Sequence, residues 1–445
     1  MAIDAGTSNI KALRVGSTVI SRAFLGNQKI YDQLDYPTLD LNFALTKTLD
    51  PRVTFTRAST ATYFDSAGVL RSAAINEPRF DYNPATLVAQ GLLIEDQRTN
   101  LLLQSEDLST TWAATGSTVS TNATTAPSGA ATADKLIANS AISVSPTSVA
   151  AFVRQNITKA ASATTYTFSV FAKAGEFNAI RILAADNATS ANNAAVSALL
   201  TNGTVLTAAA AAGTFTNASV AITNVGNGWY RVALTFTSST ETAIRFIYAV
   251  NNSSPTQGDA SKGIFIWGAQ LEVGAFPTSY IPTTTTALTR AADVAVMTGT
   301  NFSSWYNASE GTVVAQSSNF SKANFPVVAS INDNTINNRI NTISSTTTTN
   351  RLAVATGSVT QAEFAFSNYV TGTIVNHAFA IKANDFAGSV NGATVQTDTS
   401  GTMPTVTQLQ LGAQEGGLFS LNGHIRRITY FNRRLANSEL QLLSS

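Results

Sequence analysis

The chain has 445 residues, 44% hydrophobic and only 12% charged, with a net charge of +1 and no cysteine. That length supplies two or three cores, near-neutrality without a run of Lys or Arg excludes a phosphate-tracking surface for nucleic acid, and the absence of thiols excludes disulfides and thiolate zinc. No stretch of about 18 apolar residues occurs, and Met1–Gly6 has neither a basic n-region nor an apolar h-region, so neither membrane insertion nor Sec export is expected. Polarity comes from serine and threonine instead of charge, a composition that suits antiparallel strands, and the expected fold class is all-β.

Residues 1–35 carry a short repeat. Leu13, Val15 and Gly16 in the first copy are followed ten residues on by Phe24, Leu25 and Gly26, then Ile30 and Tyr31. Gly16-Ser17 and Gly26-Asn27 stand where tight hairpins turn. Two minimal hairpins bury little by themselves and need a partner surface. The pattern resembles short N-terminal repeats of bacteriophage tail and head appendage proteins, which implies that these eight residues anchor the chain to other virion proteins. The residues alone also fit an ordinary terminal hairpin folded back on its own domain.

Residues 36–104 read as irregular β, with Leu39-Asp40-Leu41-Asn42-Phe43 alternating and Pro37, Pro51, Pro78 and Pro84 punctuating. Three ordered motifs follow: Phe55-Thr56-Arg57-Ala58-Ser59-Thr60, then Pro78-Arg79-Phe80-Asp81-Tyr82, then Gly91-Leu92-Leu93-Ile94-Glu95-Asp96-Gln97-Arg98-Thr99-Asn100. Together they resemble the signature of a structural-protein family of tailed bacteriophages. Within it Glu95 and Arg98 are expected to form a buried structural ion pair.

Residues 105–282 are expected to form a jelly roll. Thr165–Lys173 alternates, Gly226-Asn227-Gly228 turns into Trp229–Leu234, and Ile264, Ile266 and Gly268 alternate with Phe265 and Trp267 before Gly274 and two prolines close the unit. The closing run resembles the last strand of carbohydrate-binding-like modules. Trp267 is expected in the core, together with one of Trp229 and Tyr230.

Residues 287–445 read as a second sandwich. Glu310–Gln316 and Ala378–Ile381 are strands, and Phe386–Gly392 presents an Asn-Gly hairpin turn. The ending, Gly423–Leu440, resembles the last strand and short helix of concanavalin A-like (laminin G, pentraxin) domains, with Asn437 or Ser438 as the helix cap. Such domains open with a Leu-x-Leu-x-Phe strand, so Leu39–Phe43 is expected to join this sandwich and residues 105–282 to be an insertion.

Chemistry is sparse. His377 and His424 read as structural or surface histidines. Glycosidases need two carboxylates about 5–10 Å apart, and no Glu-x-Asp-x-x-Glu spacing occurs, while Glu95-Asp96 and Glu106-Asp107 are neighbours that face opposite ways on a strand. Asn332-Asp333-Asn334 is the one loop of calcium-binding type, and it reads equally as a solvated turn; no cofactor is expected. Trp305 and Tyr306, beside Asn301 and Asn307, are the expected exposed sugar-stacking pair, with Trp112 and Tyr230 as further candidates. No catalytic residue is assigned.

These readings combine into a non-enzymatic virion protein of a tailed phage, made in the host cytoplasm. It is expected to be a homotrimeric tail fibre or receptor-binding appendage that holds other virion proteins through its N-terminus and binds host surface polysaccharide. A capsid decoration or head-fibre protein and a polysaccharide-depolymerase tailspike are the alternatives.

Overall fold

The computed structural model describes residues 36–320, 325–346, 349–367, 370 and 372–445, and the backbone of four short strands before residue 33. Those four make two hairpins. Leu13–Val15 pairs with Thr18–Ile20, and Arg22–Leu25 pairs with Gln28–Asp32 through a register shift after Ala23. Gly16 and Gly26, and the side chains of Leu13, Val15, Phe24, Leu25, Ile30 and Tyr31, lie outside the described residues.

The remainder is antiparallel β-sandwich. An eight-stranded sheet and a seven-stranded sheet face each other in the C-terminal sandwich. Alternation drives this packing: along Val359–Ser367 the residues Ala362, Phe364 and Phe366 are buried in the core, while Glu363 and Ala365 face outward. The strand Gly423–Phe431 is central. On one side it pairs with Glu310–Asn319; on the other it pairs along its length with both Ala89–Ile94 and Leu39–Asn42. Leu39, Leu41, Phe43, Leu92 and Ile94 therefore share one core with Ile425, Ile428 and Tyr430. Thr54–Thr56 completes the opposite sheet by pairing with Val294–Thr298. The strands Leu39–Asn42, Thr54–Thr56, Phe80–Tyr82 and Ala89–Ile94 thus belong to the C-terminal sandwich, while Ala61–Phe64 and Leu70–Ala73 pair with each other in a separate hairpin.

Two six-stranded sheets, built only from strands between Ala113 and Val273, form the other sandwich. Its core stacks Phe168 on Tyr248 at 4.5 Å and Phe215 on Phe236 at 5.1 Å. In the chain this sandwich is inserted between strands of the first. A two-stranded ladder, Arg98–Asn100 with Leu288–Arg290, ties the points where the chain leaves and returns.

One strand deviates from simple alternation in a way that shapes the seam. Along Gly263–Val273, Ile264 and Ile266 face the main core, but beyond Gly268 the core-facing residues are Ala269 and Leu271. Gly268 has φ +67° and sits at a register shift against Thr164–Lys173, a β-bulge that a residue with a Cβ would strain, because Phe171 lies 2.8 Å from where the Cβ would be. The bulge leaves Trp267 in a separate small core with Phe171, Trp229, Tyr280 and Leu70 at the junction of the two sandwiches. Both Trp229 and Tyr230 are buried, where one was expected, since each face of their strand packs on its own core.

The last helix, Asn437–Leu443, begins one residue earlier than expected. Ala436 is its N-cap, and because alanine offers no acceptor, Glu439 reaches back to take the Ala436 N–H at 2.6 Å. The Asn391-Gly392 turn forms with φ of +50° and +71°, as a tight hairpin requires.

Candidate functional site

The three motifs of residues 55–100 converge at the seam. Arg57 follows the strand Thr54–Thr56, Arg79 precedes Phe80–Tyr82, Glu95 ends Ala89–Ile94, and Asp293 precedes Val294–Thr298. All four are buried. Arg79 Nη1 donates to Glu95 Oε2 at 2.8 Å, and its Nη2 donates to Asp293 Oδ2. Arg57 Nη1 donates to Asp293 Oδ1 at 3.1 Å and spends its other donors on the carbonyls of Ser59, Ala74 and Glu77. Ser279, from the inserted sandwich, donates to Glu95 through both its N–H, at 2.7 Å, and its hydroxyl, at 2.6 Å. Burial alone would raise the Glu95 carboxyl, but Arg290, Arg79 and the Ser279 bonds outweigh it and hold it well below the usual carboxylate range. Burial likewise opposes the charge on Arg79, and Asp293 and Glu95 more than restore it.

The expected Glu95–Arg98 pair is not formed. Three steps along an extended chain turn Arg98 to the opposite side, where it pairs with Asp96 at 2.8 Å and lies over Phe276. The partners of Glu95 are Arg79 and Arg290. Arginines standing among apolar residues in two of the motifs were the available signal for this cluster.

The four candidate rings are all inside. Trp305 is 4% exposed, donates Nε1–H to Asn301 O at 2.9 Å, and packs edge-on against Tyr430. Tyr306 stacks on Phe302 at 4.8 Å, and burial pushes its hydroxyl pKa up. Trp112 is 5% exposed and packs on Tyr248; Tyr230 is 9% exposed and belongs to the same core. Trp305, Trp112 and Tyr230 therefore keep no open face for a sugar, and Tyr306 is half-buried against the core that holds Trp305.

The concave polar surface lies instead on the outer face of the eight-stranded sheet. A groove of about 480 Å³, within the size range of small-ligand sites, runs over Glu310–Asn319, Val375–Lys382 and Gly423–Phe431. Val313 and Ala315 face the core, so Val314 and Gln316 face the groove. Gln316 Nε2 donates to Asn376 Oδ1 at 2.8 Å, and Arg426 Nε donates to Gln316 Oε1 at 3.1 Å. Arg427 grips Asp40 with two parallel bonds of 2.7 and 2.8 Å, and that contact raises its pKa. Thr429 adds a hydroxyl, while Phe431, Leu443 and Leu45 supply apolar surface, Leu45 being 76% exposed. Sequence reading missed this site because its polar groups come from four strands nearly four hundred residues apart. The signal was the polar alternate position in each strand.

The remaining candidates are accounted for by local contacts. His424 bonds Asp81 at 2.8 Å. His377 is buried in the core, and neither ring nitrogen has a side-chain or backbone partner of good geometry. Asp333 accepts from Thr335 N–H and Asn338 Nδ2, and Asn332 accepts from Asn334 N–H and Gln408, so the turn is held by its own groups. Glu106 accepts from the Tyr280 hydroxyl at 3.2 Å, and burial raises its pKa. Among the described residues no group of three His, Asp or Glu is placed to hold a metal.

No protein-family model matches the chain, and no curated protein matches it in sequence. Among solved structures it is similar to the CBM40 module of the Ruminococcus gnavus IT-sialidase bound to α2,3-sialyllactose, at 14% identity over 33% of this chain and 88% of that one, TM-score 0.29. Domain 4 of an extracellular GH43 arabinanase from Geobacillus stearothermophilus, in complex with arabinotriose, is 12% identical over 38% of this chain and 82% of that one, TM-score 0.28. Domains LG4-5 of the mouse laminin α1 chain are 11% identical over 76% of this chain and 96% of that one, TM-score 0.22.

Proposed function

We propose that this chain is a non-catalytic, glycan-binding appendage protein of a tailed bacteriophage, a tail fibre or receptor-binding protein whose ligand is host surface polysaccharide. The groove over the outer sheet carries this reading. Planar amides on Gln316 and Asn376, the Arg427–Asp40 pair and the Thr429 hydroxyl offer the paired donors and acceptors that vicinal sugar hydroxyls match, and the exposed Leu45 and Leu443 offer a surface for the C–H face of the ring. Hydrolysis would need two carboxylates flanking the bond. Asp40 is the carboxylate at this groove, and both its oxygens are held by Arg427. The phage assignment is supported by the ordered motifs of residues 55–100 and the N-terminal hairpin repeat, and a homotrimer is part of that reading.

The deciding experiment incubates labelled protein with intact host cells and with cells stripped of surface polysaccharide, while the medium is assayed for reducing sugar. Binding lost on stripping, without sugar release, is the expected result; release of sugar would make the protein a depolymerase, and equal binding to both cells would remove the glycan. The double variant Gln316→Ala, Asn376→Ala is expected to bind roughly tenfold more weakly, the loss of about one net hydrogen bond, with its melting temperature within about 1 °C of the parent. Removal of residues 1–34 should leave a folded, soluble protein that no longer enters particles. Normal incorporation of the truncated chain would end the anchoring proposal.

A further inference from the structure

The ionic seam contains one arginine whose charge is not satisfied by protein. Arg290 lies at the end of the ladder that joins the two sandwiches and is 1% exposed. None of its three guanidinium nitrogens has a hydrogen-bond partner. Its nearest counter-ion is Glu95, 3.4 Å from Nη1, and that carboxylate is already occupied: Oε2 accepts from Arg79 and the Ser279 hydroxyl, and Oε1 from the Ser279 N–H. Asp293 is occupied too, by Arg57, Arg79 and the N–H of Glu95. The buried set of Arg57, Arg79 and Arg290 against Glu95 and Asp293 therefore carries one excess positive charge. Widening it to the half-buried Asp96–Arg98 pair and to the buried Glu272 with its neighbour Arg231 leaves that excess unchanged.

A guanidinium that keeps five donors idle in the interior is strongly disfavoured, and such groups in native proteins are met by water or an ion. Beside Arg290 is a small cavity of about 10 Å³, lined by Thr60, Thr62, Ser72, Thr289 and the turn Tyr280–Pro282. That is room for one small sphere, a water or a monatomic ion. We propose that this cavity binds a single monatomic monovalent anion, a halide, which neutralises Arg290 and closes the seam between the sandwiches. The small volume favours a monatomic ion over sulfate, phosphate and carboxylates, and the excess charge favours an anion over the neutral water that would otherwise fit.

The test is thermal unfolding of the full chain at constant ionic strength, with chloride or bromide exchanged for gluconate. A saturable rise in melting temperature with halide is expected, roughly 3 °C at a hundredfold excess over its dissociation constant. The variant Arg290→Met should lose that dependence while retaining whatever general salt response the parent shows. Independently of that variant's folding, crystals of the parent grown with bromide provide a second reading: an anomalous peak in the Arg290 cavity supports the proposal. Identical melting in halide and gluconate, or a water in the cavity with no anomalous signal, overturns it.

Discussion

Arg79→Met is expected to lower the stability of the chain by roughly 3–5 kcal/mol, enough to abolish soluble expression at 37 °C, whereas Arg98→Ala should change it by less than about 1 kcal/mol. The two arginines stand in neighbouring motifs, but their surroundings differ. Arg79 is the shared donor to Glu95 and Asp293, with all three side chains fully buried, so its removal strands two carboxylates in a medium of low dielectric. Arg98 makes a single pair that water reaches. Chemical denaturation followed by tryptophan fluorescence would report both, since Trp229 and Trp267 pack at the same seam. Equal midpoints for the two variants would show that the cluster is not what joins the sandwiches.

The all-β class, the strands and most turns were legible because period-two alternation and Asn-Gly or Gly-rich turns are local signals. Leu39–Phe43 could be tied to the C-terminal strand only through a resemblance, since nothing in five residues specifies a partner almost four hundred positions away. The groove was illegible for the opposite reason. Trp305, Tyr306, Trp112 and Tyr230 were chosen by ring type, and large rings go where burial is greatest; Gln316, Asn376 and Arg427, which form the groove, are chemically unremarkable until pairing places them side by side. Likewise, the bulge at Gly268 reversed which residues of its strand face the main core, which alternation alone could not anticipate.

The second large effect concerns acidity. His377 sits on the core face of Val375–Lys382, opposite Ala315 and Val390, and burial pulls its pKa down from 6.5 to about 4. The folded protein therefore keeps this imidazole neutral at a pH where the unfolded chain protonates it. Above pH 6.5 the two states agree and the residue is silent; as pH falls from 6.5 towards 4 the unfolded state gains a proton the folded state refuses, and stability drops by up to about 3 kcal/mol. Glu106, Asp96 and Asp134, whose pKa values burial raises, act in the opposite direction in part of the same range. The informative quantity is thus the difference between the parent and His377→Leu. That difference should be flat above pH 7 and move in favour of the leucine variant by about 1.4 kcal/mol per pH unit below 6. Parallel stability curves from pH 4 to 8 would refute the assignment.

The position of Gly423–Phe431 at the centre of its sheet also fixes a sequence of events during synthesis. Thr38 bonds to the carbonyl of Tyr430, a separation of 392 residues, and Leu39–Asn42 and the inner edge of Ala89–Ile94 find their neighbour only once that strand has left the ribosome. At typical rates of translation this is a wait of roughly half a minute or more. The inserted sandwich has all its strands in one continuous stretch and can close in the meantime, presenting Ser279 and the Trp267 side of its seam as a finished template. Early strands with unpaired edges spend that interval exposed, and their brevity, three to six residues each, limits how readily they pair with strangers. A ribosome that stops before Gly423 would release a chain with one complete sandwich and one that has no middle.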